Sequence, residues 1–301
     1  MNKKIETRNK LDELEVTNEY LDFHSRYYSY SKIDSLSNPK LVSFSPSAFK
    51  LIGLDENEAT HKNLVELLNG QYLLKNSKPY SMVYAGHQFG YFVPQLGDGR
   101  AINLGCVNGW HLQLKGSGLT KYSRQGDGKA VLRSSIREYL MSEAMHGLSI
   151  PTTRALAIIS SDEPVFREEI ETASIVLRLS KSWVRIGTFE YFYQSQDIQS
   201  LKELADFVIK ENFSHLSNVE NKYEKLFFEI VDATAYLISK WQAYGFMHGV
   251  MNTDNMSVAG YTIDYGPYAF MDNFDVNNIC NHTDHEGRYS YVNQPHVAKW
   301  N

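Results

Sequence analysis

Cysteine is nearly absent: Cys106 and Cys280 are the two in 301 residues, and each stands alone. Neither belongs to a Cys-x-x-Cys pair or a Cys/His cluster, so structural zinc and a disulfide framework have no support. A reducing, intracellular compartment is the simplest expectation. No apolar run approaches the roughly 18–20 residues needed to span a bilayer. The start of the chain, MNKKIETRNKLDELEV, is charged and has no apolar stretch, so it does not read as a signal peptide. The net charge of −5 gives no electrostatic argument for nucleic acid or an anionic membrane. Internal repeats and low-complexity segments are also missing. A cytoplasmic protein with neither nucleic acid nor membrane among its partners is expected.

What remains is an ordinary globular composition, 43% hydrophobic and 22% charged, long enough for one large domain or two lobes. Residues 1–78 read as a helical and loop-rich leader packing on the core. Within it, LSNPKLVSFSPSAFKLIGLD runs from a Pro-bounded strand into a short helix. From about residue 80 glycines recur between short β-compatible runs, which predicts an antiparallel sheet with glycine turns. In WHLQLKG, Leu112 and Leu114 alternate with His111, Gln113 and Lys115. VLRSSIREYLMSEAMHGL (131–148) reads as a helix with Leu132, Ile136, Leu140 and Ala144 on one face, closed by Gly147. EPVFREEIETASIVLRLSKSWVRIG gives two more strands. From about 197 the spacing is helical, in IQSLKELADFVIKENF and YEKLFFEIVDATAYLISKWQAYG. This order predicts an α+β, bilobal, protein-kinase-like fold. It would have a glycine-rich β lobe at 79–190 and a helical lobe at 191–301. The sequence ends at AKWN without a terminator, so the helical lobe is expected to be incomplete.

A nucleotide-triphosphate transferase needs a backbone cradle for phosphates, fixed cations, a carboxylate to hold them, and metal ligands. LGDGRA (96–101) offers Gly97 and Gly99 for close approach to phosphate and Arg100 to fork onto it, although Asp-Gly is also a common hairpin turn. Lys115 lies opposite Leu112 and Leu114, so periodicity alone makes it a surface lysine. Glu138 could fix it, as a helix Glu fixes a strand Lys in kinases. Asp127-Gly128 is another glycine-flanked acid. Arg178 and Arg185 are candidate phosphate cations, each also readable as a surface residue.

HGVMNTDNMSVAGYTIDYG (248–266) is the most informative stretch. A kinase has His-Arg-Asp, an Asn five residues after that Asp, and then Asp-Phe-Gly. Here His248-Gly249, Asn255 and Asp264-Tyr265-Gly266 keep the pattern, but Val250 stands where the catalytic Asp would be. Asp254 is the nearest carboxylate. Asn255 and Asp264 are the oxygen ligands that Mg²⁺ prefers.

Together, YAGHQFGYFVPQLGDGRA, LKGSGLTKYSRQGDGKAVLRSSIREYL, TFEYF and HGVMNTDNMSVAGYTIDYGP resemble the selenoprotein O family, over nearly the whole chain. That family has a kinase-like fold and was long called pseudokinase. The resemblance implies transfer of AMP from ATP, bound flipped relative to kinases, to protein hydroxyls. It implies nucleotide contacts at Gly97, Gly99, Arg100, Lys115, Asp127, Gly128, Arg178, Arg185 and Asp264, with Glu138 paired to Lys115. It makes Asp254 the proton acceptor and Asn255 and Asp264 the ligands of Mg²⁺, or Mn²⁺ in its place. The implied partners are proteins with Ser, Thr or Tyr hydroxyls, this protein among them. A conventional kinase and an ATP-binding scaffold without turnover remain the alternatives, the second favoured by Val250.

Overall fold

The computed structural model describes residues 10–301. Residues 1–9, the start of the expected leader and of the segment read as no signal peptide, lie outside the described residues. In chain order the elements are β1 (Tyr28–Tyr30), β2 (Lys40–Phe44), α1 (Pro46–Leu51), α2 (Lys62–Leu68), β3 (Tyr80–Gln88), β4 (Tyr91–Gly97), β5 (Ala101–Val107), β6 (Trp110–Lys115), β7 (Ala130–Val131), α3 (Leu132–Gly147), β8 (Arg154–Phe166), β9 (Ile170–Ser180), α4 (Ile186–Gln194), α5 (Ile198–Asn212), α6 (Lys222–Tyr244), β10 (Phe246–Met247), β11 (Ala269–Phe270) and α7 (Gln294–Trp300). The class is α+β, built on a large antiparallel sheet. The chain forms two compact units. One comprises the residues up to Val83 with Gly97–Glu143 and Arg154–Ser180; the other comprises Tyr84–Leu96, Ala144–Thr153 and Lys181–Asn301.

In the first unit the strand order is β1-β3-β5-β6-β9-β8-β2, with β7 beside β9. Asn108-Gly109, both in the left-handed region, close the β5–β6 hairpin, the turn chemistry that its twist demands. One face of the sheet carries Leu112, Leu114, Leu177 and Leu179, which join Phe49, Ile52, Leu64 and Leu68 from α1, α2 and their flanks. The other face carries Ala155, Ile158 and Val176, covered by Leu132, Ile136 and Tyr139 of α3. The leader is thus more than the helical and loop-rich segment expected from its sequence. It adds β1 and β2 to the sheet and one covering layer, because the Leu-rich sheet face must be buried to leave water.

Three local expectations are corrected. Leu96–Ala101 closes no hairpin: β4 pairs with β3, and β5 pairs with β6 and with the start of β3. The buried side of α3 is Ser135, Glu138, Tyr139 and Ser142, whereas Leu140, placed on the buried face by spacing, is 59% exposed. Ala144 of that same predicted face is exposed too. The helix packs on the sheet face that bears Lys115 and Arg178, so it turns inward the residue that can answer them. Lastly, β9 ends at Ser180, so Arg185, read within the strand segment, instead precedes α4.

In the second unit, Tyr84–Gln88 of β3 pairs with β4, and β10 pairs antiparallel with β11. The helices α5 and α6 form where the periodicity predicts them, although Phe227, Phe228, Val231 and Tyr236 of α6 are exposed. Trp241 of α6 stacks on His248 at 5.3 Å and donates from Nε1 to Thr262 Oγ1 at 3.0 Å, which fixes the start of the HGV stretch.

Candidate functional site

In the first unit, the antiparallel register sets Gln113 opposite Arg178 and Lys115 opposite Val176. Lys115 Nζ donates to Glu138 Oε2 at 2.7 Å, and Arg178 Nη1 donates to Glu138 Oε1 at 2.7 Å. Arg178 Nη2 also donates to Gln113 Oε1. One carboxylate of α3 therefore holds two cations from neighbouring strands, and Arg178 is 1% exposed. The reading of Lys115 and Arg178 as surface residues fails because α3 covers the polar face of β6 and β9, leaving Lys115 part-buried and Arg178 buried. Sequence spacing missed the layer beneath: Asp98 Oδ2 accepts from Asn103 Nδ2 at 3.0 Å and from the Met82 N–H at 3.0 Å. Gln113 Nε2 donates to Asn103 Oδ1 at 3.1 Å, which links this layer to Arg178.

The glycine-flanked candidates lie nearby in the chain but have their own packing. A Cβ on Gly97 would fall 2.4 Å from the Tyr122 ring, and one on Gly99 would fall 3.0 Å from the Tyr122 carbonyl. Gly128, at φ +72°, lies so close to Gly118 that a Cβ would sit 2.2 Å from its carbonyl carbon. Arg100 is exposed. Asp127 is exposed and forked by Arg167, whose Nη1 and Nη2 donate at 2.8 and 3.0 Å. That bond, above all, holds the Asp127 carboxyl below its usual range. Arg167 carried no sequence signal.

In the second unit, Arg185 organises the loop read from sequence. It is buried beneath Tyr84, whose ring centroid lies 4.7 Å from the guanidinium carbon. Its Nη1 donates to the Asp254 carbonyl at 2.6 Å and to Asp264 Oδ2. Asp264 is a non-glycine residue in the left-handed region, at φ +56°. Asn255 Nδ2 donates to the Val250 carbonyl at 3.1 Å, closing the loop across the position where a kinase has its Asp. His248 Nε2 donates to the Ile263 carbonyl at 2.8 Å while its Nδ1 accepts from the Val250 N–H, so the neutral ring ties the two ends of the motif together. Burial lowers the His248 pKa and favours this neutral form.

Asp254 is 6% exposed. Burial raises its carboxyl pKa, against the opposing effects of a bond from Gln88 and the charge of Arg185. Oδ2 accepts from Gln88 Nε2 at 3.2 Å, whereas Oδ1 is buried and has no hydrogen-bond partner. An unsatisfied buried carboxylate oxygen costs stability. Among the described residues, no group of three or more His, Cys, Asp and Glu is arranged to hold a metal. The oxygen-bearing side chains of Asn255 and Asp264 nevertheless suit Mg²⁺, which takes one or two protein ligands and completes its shell with phosphates and water.

The model of the family described as protein adenylyltransferase SelO matches residues 10–301. The chain belongs to this family. It is 50% identical over 297 residues to the protein nucleotidyltransferase YdiU of Thioalkalivibrio sulfidiphilus, which is 97% of this chain and 60% of that relative. Its identity to the protein of the same name from Thiobacillus denitrificans is 49%, and to that from Myxococcus xanthus 48%, each over 97% of this chain and 61% of the relative. The chain thus spans about 60% of the length of these SelO-family relatives. No helix among the described residues is long and apolar enough to cross a membrane.

Proposed function

We propose that the chain carries the nucleotide-handling residues of a protein adenylyltransferase, which moves AMP from ATP to a Ser, Thr or Tyr hydroxyl of a protein, its own included. The observation that carries this reading is the buried Asp254 carboxyl with one unpartnered oxygen. It is a proton acceptor on the loop where Val250 has displaced the usual one. A bilobal kinase-like arrangement is proposed with it: a leader at 1–78, a small lobe at 79–190 and a helical lobe at 191–301. A cytoplasmic location is part of the same reading.

The residues then take separate roles. Glu138 holds Lys115 and Arg178 as a pair of cations around one carboxylate, a combination that phosphate oxygens complement. Gly97, Gly99 and Gly128 let backbone approach the nucleotide closely, and Arg100 and Asp127 contact it. Arg185 supplies a further cation. Asn255 and Asp264 hold Mg²⁺ or Mn²⁺. The ion, when bound, offsets the charge that develops on the phosphates. Asp254 accepts the proton of the attacking hydroxyl. The hydroxyl oxygen bonds to the α-phosphorus, the bond from that phosphorus to the bridging oxygen breaks, and pyrophosphate leaves.

Labelled ATP tests the reading. With Mg²⁺ or Mn²⁺ present, label in the α-phosphate is expected in protein, and label in the γ-phosphate is not. Transfer of the γ label instead would make the protein a kinase. Incorporation no higher than that of Asp264→Ala would make it a scaffold.

A further inference from the structure

YAGHQFG, the start of the first motif of the resemblance, and TFEYF supply none of the residues given a role in the proposed function. In the second unit both close on the loop that carries Asp254. The His87 N–H donates to Thr253 Oγ1 at 2.7 Å, and the Thr253 hydroxyl donates to Glu190 Oε2. Glu190 Oε1 accepts from His87 Nδ1 at 2.6 Å, which completes a ring of three hydrogen bonds. The Phe89 N–H donates to Asn252 Oδ1 at 3.1 Å and to the Tyr289 hydroxyl at 3.0 Å. Gln88 reaches Asp254 itself, through Nε2 to Oδ2 at 3.2 Å.

Gly86 of the first motif and Gly187, the residue before the second, set the closeness of approach. A Cβ on Gly86 would lie 2.3 Å from Asp254 Oδ1. One on Gly187 would lie 2.2 Å from the Ala85 carbonyl and 3.2 Å from Asp254 Cα. The loop from Asn252 to Asp254 is therefore gripped at three consecutive residues, while one oxygen of the carboxylate stays unbonded.

We infer that the two motifs form a cradle that aims the Asp254 carboxylate, with Gln88, His87 and Glu190 as its positioning residues. This rests on Asp254 being the proton acceptor proposed above. Gln88 donates to one carboxylate oxygen and so fixes the rotation that presents the other. Glu190 holds Thr253, the residue before Asp254, against β3. A misplacement of a reacting group by about 1 Å can cost on the order of a hundredfold in rate.

Three variants test it, Gln88→Ala, Glu190→Ala and Glu190→Gln, assayed for AMP transfer and for hydrogen exchange across residues 250–256. Gln88→Ala and Glu190→Ala should lower kcat about tenfold to a hundredfold and leave the KM for ATP within about twofold. Glu190→Ala should also speed exchange across 250–256. Glu190→Gln should recover most of both effects, because an amide can still bond Thr253 and the other tautomer of His87. A kcat per folded molecule within about twofold of wild type in both alanine variants would overturn the inference. So would equal losses in Glu190→Gln and Glu190→Ala. If the wild-type protein transfers no AMP, the adenylyltransferase reading fails by itself. Exchange then still decides the cradle: unchanged protection of 250–256 in Glu190→Ala overturns it, and faster exchange supports it.

Discussion

Glu143 and Arg154 show at the scale of single residues how the first unit manages buried charge. Arg154 is 2% exposed and donates to both carboxylate oxygens of Glu143, from Nε at 2.8 Å and Nη2 at 2.6 Å. Burial alone would raise the Glu143 pKa, but the bonds from Arg154 and Ser45 together outweigh it and hold the carboxyl below its usual range. A carboxyl depressed on folding adds stability above its unfolded pKa, and that stability is lost as pH falls through the folded value. Glu143→Gln should therefore cost about 2–4 kcal/mol at neutral pH, since it strands a buried guanidinium. The loss should shrink on acidification below the ordinary glutamate range, to be read as urea midpoints against pH for the variant and the wild type. Neither residue stood out in the sequence, because a lone Glu in a helix is most often solvated. Lys115 and Arg178 were misplaced for a related reason. Alternation reports burial only when one face of a strand meets water, and here both are covered.

At the scale of elements, α6 is the clearest case of legible structure. Its apolar spacing runs over two turns and more, and Gly245 ends it in the left-handed conformation at φ +66°. A Cβ there would meet only the Met271 side chain, its movable Cε at 3.2 Å and its Cβ at an ordinary 3.8 Å. Gly245→Ala should then cost about 1 kcal/mol, mostly from the backbone conformation and not from the contact. A lower urea midpoint with an unchanged slope would show it; an unchanged midpoint would mean that the cap conformation is not required. The helix α3 is the contrary case. Its existence and ends followed from Ile136, Leu140 and Gly147, yet its buried side is set by Glu138, Ser135 and Ser142. Ser135 Oγ and Ser174 Oγ lie 2.7 Å apart, one of several polar contacts that no hydrophobic period reports.

At the scale of the whole molecule, chelation should separate the proposed activity from stability. Asp264 is already balanced by Arg185, so its charge does not depend on a metal for compensation. Chelation of divalent ions should abolish the proposed AMP transfer, excess Mg²⁺ should restore it, and the thermal midpoint of the nucleotide-free protein should not move. A fall in that midpoint would show that the ion has a structural role as well. The sequence by itself determined the class of the fold, most of its elements and the family, because glycine turns, helical periods and the long motifs are local along the chain. It also placed Asn255, Asp264 and Asp254 in one stretch, 248–266, since they lie close along the chain. Only the tertiary structure decided that α3 closes the polar face of the sheet, that Glu138 serves two cations, and that YAGHQFG and TFEYF hold the loop from Asn252 to Asp254. Those contacts join residues 23 to more than 160 positions apart, and the burial that gives them their strength exists only once the layers are in place.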